Sequence, residues 1–404
     1  MATFSNMISV FFLVLFVNLA SSSQYGLTES INKFSTYIFK EVSWDGNHGG
    51  NNFFTSALSA HIMLTLLSFG AKGQTLQDMD KGLFITNPND KDDYKEAIVK
   101  MKTYMNLWNK MYVGVNPENV PNPNFLEKAT EIFQTLLEPI DFDQGDVAAA
   151  QINAWVEINT GLTIKNFAQA SDFNNKTSIG LVNTLYYKGN WENTFNQAAT
   201  KKEEFFVNPG VVILVDTMNQ ECQTNYGENT NLQAQILQLA FKGYKTSMVF
   251  ILPNKLDGLQ ELEENLKKQD MQELVQSLQP ENVIVSLPKF KIQTSANLNN
   301  GLSNLGMGNI FTNNADFGGV LANPITLLKV GKVFQKAFLD LNENGITASG
   351  AIGEYVEKKN IFPKKRHIPK EFKANHPYFF AMFNDDNQMV FSGHFTGKSG
   401  PQGN

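Results

Sequence analysis

Apolar residues recur every three or four positions through much of the first half of the chain and every second position through much of the second. From Thr28 to Glu41, Ile31, Phe34, Ile38 and Phe39 fall on one helical face. Ser56–Phe69 is apolar almost throughout and runs into Gly70-Ala71-Lys72-Gly73, which predicts a buried helix stopped by glycines. Thr75 opens another helix. Asp92–Met105, Asn124–Leu137 and Val147–Thr160 share the helical period, the last ending at Gly161. Asn52–Phe54 is a short extended piece. Leu107–Val115 and Thr177–Lys188 read as strands, the second running into Gly189-Asn190-Trp191. Further strands are predicted at Lys202–Val207, Val211–Met218, Leu237–Ala240, Thr246–Leu252, Asn282–Pro288, Ala374–Phe383 and Gln388–Thr396, with Asn323–Asn342 strand-rich. Helices fall between them at Leu256–Leu278 and Leu298–Leu305. Helices followed by antiparallel strands define an α+β class with large sheets.

One stretch does not fit a compact element. From Gly345 to Gly353 nearly every residue is small, and the segment lies inside a long run, Leu341–His367. Loops beyond about 12–15 residues are uncommon and are either functional or disordered. The even positions Ile346, Ala348, Gly350 and Ile352 are apolar or small. The odd ones, Thr347, Ser349, Ala351 and Gly353, are polar or small. This weak period of two lets the segment serve as a loop and also as a strand with one buried face. Lys358, Lys359, Lys364, Lys365 and Arg366 follow, the side chains that trypsin-like proteases cleave after.

Composition narrows the class. With 404 residues, 42% of them hydrophobic and 18% charged, the chain is ordinary for a globular protein. No linker or repeat divides it, so residues 24–404 are expected to form a single domain. A net charge of −6 gives no electrostatic reason to expect nucleic acid as a partner. Ile8–Leu19 is apolar, too short to span a bilayer, and followed by Ala20-Ser21-Ser22-Ser23. Residues 1–23 therefore read as a signal peptide, with a secreted mature chain that has no membrane anchor. Cys222 is the one cysteine, so no internal disulfide is available. Asn175-Lys176-Thr177 is a glycosylation sequon.

The chemistry of catalysis is missing. There is no His-Glu-x-x-His, Gly-x-Ser-x-Gly, Walker A or Gly-x-Gly-x-x-Gly motif. The five histidines show no metal-ligand spacing, and His61, on an apolar helix, reads as a packed residue. Asp92-Asp93 and Asp385-Asp386 read as a helix start and a hairpin turn rather than catalytic carboxylates. The enzyme class is set aside, and no cofactor or metal is expected.

Eight pieces in order carry a resemblance. They are Asn52–Ser59, Gly70–Thr75, Asn153-Ala154-Trp155-Val156 with Thr160-Gly161, and Leu181-Val182-Asn183 with Tyr187–Trp191. Then come Ser286–Phe290, Ala315-Asp316-Phe317, Lys336-Ala337-Phe338 leading to Asn342–Gly345, and Phe372–Phe380. Over nearly the whole mature length the chain resembles the serpin family. The resemblance implies three β-sheets, about nine helices and an exposed reactive loop near residues 343–370, which inserts into the large sheet after cleavage. In inhibitory members the target protease is trapped as an acyl-enzyme and dragged across the sheet. A non-inhibitory carrier or chaperone is the alternative. The small residues Thr347-Ala348-Ser349-Gly350-Ala351 match an inhibitory hinge.

Site residues follow from the same resemblance. Glu343, Gly345 and Ile346 begin the hinge, and Ile346 stands where the family has Thr or Ser. Glu354 falls on the inward parity far down the inserting segment. Lys289 and Glu343 are expected to pair where the loop enters. Ser56, Ser59 and Asn183 match the region that opens, whereas Gln335 replaces the usual His and Ala57 the usual Pro. The cut bond is set by a span of about seventeen residues, at roughly 3.3 Å of strand each, which from Glu343 reaches Lys359–Asn360. Arg366–His367 and Lys358–Lys359 are the alternatives. All of them imply a trypsin-like serine protease as partner of a monomeric inhibitor. A heparin-like polyanion is not favoured. Lys91, Lys95, Lys100 and Lys102 interleave with Asp90, Asp92, Asp93 and Glu96, and Lys364-Lys365-Arg366 is the stronger candidate for such a ligand.

Overall fold

A computed structural model describes residues 26–44, 50–115, 120–173, 177, 179–243, 245–322, 328–346 and 368–398. The helices among these are α1 (26–43), α2 (Ala57–Ser68), α3 (Gly73–Gly82), α4 (Tyr94–Met101), α5 (Pro123–Glu131), α6 (Gly145–Asn159), α7 (Leu259–Leu266), α8 (Met271–Gln276) and α9 (Asn299–Leu302). The strands in the first part of the chain are β1 (Phe53–Thr55), β2 (Asn106–Gly114), β3 (Leu136–Ile140), β4 (Ile179–Tyr186), β5 (Gly189–Asn190), β6 (Lys201–Asn208), β7 (Val211–Asn229) and β8 (Ala234–Ala240). Those that follow are β9 (Thr246–Pro253), β10 (Gln279–Pro288), β11 (Phe290–Asn297), β12 (Phe334–Asn342), β13 (Gly345–Ile346), β14 (Lys370–Lys373), β15 (Tyr378–Asn384) and β16 (Met389–Phe395).

Three sheets result among the described residues. The largest runs β1-β16-β15-β9-β8-β7-β10-β14, with β6 also on β7. A second runs β11-β12-β13-β5 and a third β3-β2-β4. Every residue of α2, β9, β15 and β16 is buried, which is why these segments carry apolar runs instead of amphipathic patterns. His61, inside α2, is packed as expected. Its Nδ1 lies 2.6 Å from the Tyr94 hydroxyl and its Nε2 2.9 Å from the Leu83 carbonyl. Burial pushes its pKa down to about 4, so at neutral pH it is an uncharged core residue. A separate apolar cluster, including Tyr112, Ile152, Val156 and Val182, lies between α6 and the sheet of β2 and β4.

Several boundaries differ from the sequence reading. The helix expected over Asn124–Leu137 ends at Glu131, because Gln134 turns left-handed (φ 48°), and Leu136–Ile140 pairs in parallel with β2. Leu256–Leu278 is two helices. Asp270 breaks it by capping α8, its Oδ1 accepting from the Gln272 and Glu273 amides at 2.9 and 3.1 Å. β7 runs 19 residues rather than stopping at Met218, because its polar middle ladders with β10. β11 was not anticipated, although its inward residues Phe290, Ile292, Thr294 and Ala296 alternate strictly with exposed ones.

Candidate functional site

β12 ends at Asn342, and the turn Glu343-Asn344 sends the chain back on itself. Gly345 and Ile346 then pair antiparallel with β12 on one side, opposite Asn342 and Leu341. On the other side they pair antiparallel with β5, opposite Asn190 and Gly189. The segment expected to be the hinge thus begins as a strand between two others. Gly345 sits at φ +140°, and a Cβ there would lie 2.0 Å from the Gly189 carbonyl oxygen, so only glycine passes. Ile346 is 3% exposed and points inward, the parity expected of it. Below this slot the described residues show no ladder between the two smaller sheets. Strands β4 and β12 lie near each other across the slot without pairing, and Ile179 of β4 makes an isolated parallel bridge to Val330, which lies just before β12.

The turn is held from the segment after β5. The Trp191 amide donates to the Asn344 carbonyl at 2.8 Å, its indole Nε1 to the Asn342 carbonyl at 2.9 Å, and the Phe195 amide to the Glu343 carbonyl at 2.9 Å. Trp191 is fixed in turn by stacking on Phe241 at 4.5 Å. The Glu343 carboxylate is buried. Its Oε1 accepts from the Thr200 hydroxyl at 2.8 Å and from Lys289 Nζ at 3.2 Å. Burial acts to raise its pKa, but a backbone hydrogen bond, Thr200 and Lys289 outweigh it and hold the group below the ordinary carboxylate range. The expected Lys289–Glu343 pair is therefore formed. Thr200 was not foreseen, since a lone threonine 143 residues away leaves no local signal.

The other end of β12 is gripped without charge. Gln335 Oε1 accepts from the Thr55 hydroxyl and, at 2.9 Å, from the Ser56 amide, while its Nε2 donates to the Ser56 carbonyl at 2.8 Å. Ser56 Oγ lies 2.8 Å from Ser59 Oγ and donates to the Val390 carbonyl at 2.9 Å. These bonds tie β12, the start of α2 and β16 together. Asn183 stands on β4 opposite Asn109. The structure brings Ser56, Ser59 and Gln335 into one network and Lys289, Glu343, Gly345 and Ile346 into another. Thr347, Ala348, Ser349, Gly350, Ala351, Glu354, Lys358, Lys359, Asn360, Lys364, Lys365, Arg366 and His367 lie outside the described residues, as do Asn175 and residues 1–23.

Cys222 is half-buried, and burial pushes its thiol up to about 11, which makes it a poor nucleophile. No group of three or more His, Cys, Asp or Glu side chains placed to hold a metal occurs among the described residues.

The family model described as Serpin (serine protease inhibitor) matches residues 29–397. Antichymotrypsin-2 of Bombyx mori is 31% identical over 90% of this chain and 96% of its own. Antitrypsin of the same organism is 30% identical over 90% and 92%. Among solved structures, Serpin48 of the insect Tenebrio molitor is 29% identical and superposes with a TM-score of 0.80 over 92% of this chain and 97% of that one. The chain belongs to the serpin family. Its members are typically protease inhibitors rather than catalysts, and some are non-inhibitory, thyroxine-binding globulin and ovalbumin among them.

Proposed function

We propose that this protein is a secreted, monomeric suicide-substrate inhibitor of trypsin-like serine proteases. The observation that carries the reading is the position of Gly345 and Ile346. They already lie between β12 and β5, running antiparallel to both, as an inserting strand must. Continuing that strand down the slot adds ladder hydrogen bonds worth on the order of 1 kcal/mol each. A dozen of them rival the whole stability of a domain, about 5–15 kcal/mol, so insertion supplies enough free energy to carry a covalently attached protease. The uncleaved fold persists because opening the slot is slow.

The protease serine attacks the carbonyl carbon of Lys359. The peptide bond to Asn360 breaks, the new amine leaves with a proton, and the acyl-enzyme ester remains on Lys359 as the loop inserts. Arg366–His367 is the competing bond. Its extra seven residues leave slack in the inserted strand. No polyanion cofactor is invoked. Lys91 pairs with Asp80 at 2.6 Å, Lys95 with Glu131 at 3.8 Å, and Lys100 with Asp385 and Asp386 at 3.1 and 2.6 Å. Lys102 donates to Gln134 at 2.7 Å.

Mixing the mature protein with trypsin and running a denaturing gel tests the reading. A covalent complex of summed mass is expected. Cleavage without any complex overturns inhibition and favours the non-inhibitory members of the family. Mass spectrometry of the released C-terminal peptide fixes the bond: a start at Asn360 is expected, and a start at His367 rejects the register.

A further inference from the structure

A cleft of about 430 Å³ lies beside the segment that holds the hinge turn, with Trp191, Glu192 and Asn193 in its wall. Its volume is that of a small-molecule site, about 300–1,000 Å³, but its chemistry is not that of an apolar one. Carboxamides and hydroxyls dominate the lining, among them Asn225, Gln238 and Ser247. They are pre-arranged. Asn225 Nδ2 donates to Gln238 Oε1 at 2.9 Å, Gln238 Nε2 donates to Ser247 Oγ at 2.9 Å, and the Thr224 hydroxyl donates to the Gln238 carbonyl. An amide that gives one N–H and accepts one bond retains a second N–H and a second lone pair. The chain of amides therefore offers donors and acceptors side by side in fixed directions.

Charge narrows the ligand further. Among the described residues no lysine or arginine lines the cleft, and Glu192 and Asp385 do, so an anion is disfavoured. Asp385 is already neutralised by Lys100 at 3.1 Å. Pro280 and the half-buried Ala240 supply apolar surface between the polar groups, and Trp191 and Leu239 are buried in the wall. A pyranose ring presents this same mixture, hydroxyls around its edge and C–H groups on its faces. We propose that the cleft binds a neutral saccharide of one or two rings. Trp191 connects the site to the hinge through its bonds to Asn342 and Asn344, so an occupant changes the rate of loop insertion. That consequence rests on the inhibitory reading, whereas the binding itself does not.

The test uses the mature protein with maltose, lactose, cellobiose and diacetylchitobiose, followed by ligand-observed saturation-transfer NMR. Saturable binding of at least one is expected, weakened about tenfold or more by Gln238→Leu and by Asn225→Ala. The second variant guards against a folding defect in the first. No binding by any of the four overturns the site, as does equal binding of a sulfated disaccharide or unchanged affinity in both variants. The same sugar fixed to agarose by its reducing end separates the two sources. Capture on the beads supports a glycan chain on a larger carrier, and binding only in solution supports a free sugar. Trypsin-complex formation, measured on the same samples, reports on the inhibitory reading separately: its failure leaves the NMR result standing.

Discussion

β12 is gripped at its two ends by opposite chemistry. Where the loop turns back, the grip is ionic, a buried Glu343 carboxylate held by Thr200 and by Lys289 at 3.2 Å. Eight residues earlier it is neutral, a single Gln335 amide bonded to Thr55 and to both backbone groups of Ser56. An amide satisfies buried polar groups without the desolvation cost of a charge, and its strength does not depend on pH. A carboxylate–ammonium pair that is partly open to water contributes about 1 kcal/mol or less, and any neighbouring change of charge alters it. In an insertion mechanism the loop end must yield first. The weaker and more adjustable grip sits at that end, and the steadier one sits deeper.

The largest expected effect tests whether the slot is occupied as described. Gly345→Ala forces a Cβ against the Gly189 carbonyl at a backbone conformation that alanine resists. Together the clash and the strain cost about 3 kcal/mol. A lower thermal unfolding midpoint and expulsion of Gly345-Ile346 from the slot, read as faster amide exchange at Ile346, are expected. An unchanged midpoint with unchanged exchange would sink the comparison at its ionic end. Next in size is Gln335→Leu, which keeps the volume but orphans the Ser56 amide and the Thr55 hydroxyl, while the Ser56 carbonyl keeps its bond from the Ser59 amide. A loss of about 2 kcal/mol is expected from such buried groups. The same scan on Ser59→Ala should show less, because Ser56 Oγ keeps the Val390 carbonyl.

How far these two grips could be read in advance differs in the same way. α2, β15 and β16 announce themselves through apolar runs, because burial on all sides leaves no polar face to hide the element. The first two residues of β3 were read into the helix before it and the strand itself was missed, because a five-residue edge strand containing Pro139 has too few positions to establish a period. The Glu343–Lys289 pair and the Ser56–Gln335 region were accessible only through the resemblance, since their partners lie 54 and 279 residues apart. No local pattern encodes such a contact. Thr200, Gly189 and Trp191 had the same obstacle: each acts on the turn through the backbone, one hydroxyl or one indole N–H, and a lone residue carries no periodicity.

Glu343→Gln sharpens the contrast in pH dependence. The folded carboxyl lies below its ordinary value of 4.5. Its ionised form is favoured by folding, so its contribution is complete above about pH 4.5 and is lost as pH falls through the lowered folded value. Wild-type unfolding midpoints should therefore drop across that acidic window by an amount that the Gln variant does not show, with a difference of about 1 kcal/mol or less at neutral pH. Identical acid profiles for the two proteins would mean that the pair contributes nothing to holding β12. Glu343→Lys, which sets two ammonium groups together, should raise polymerisation on mild heating.

The smallest effect comes from making the neutral grip titrate. Gln335→His places at this position the residue usual in the family. A neutral imidazole can accept from the Ser56 amide through one nitrogen and donate to the Ser56 carbonyl through the other, much as Gln335 does at 2.9 and 2.8 Å. Once protonated, both nitrogens are donors, and the one facing the Ser56 amide is left without an acceptor. The half-buried setting also disfavours the charged form, so the folded pKa should fall below the free value of about 6.5. The variant's stability is then complete above that value and declines as pH drops through the lower folded one. Unfolding midpoints at pH 8 should nearly match wild type, and those at pH 5.5 should lag by less than about 1 kcal/mol. Wild type should show no such change over this interval from this end of β12. A flat profile for the variant would mean that β12 is not bound tightly enough to Ser56 for a proton there to matter, and the deeper grip would then be no steadier than the ionic one.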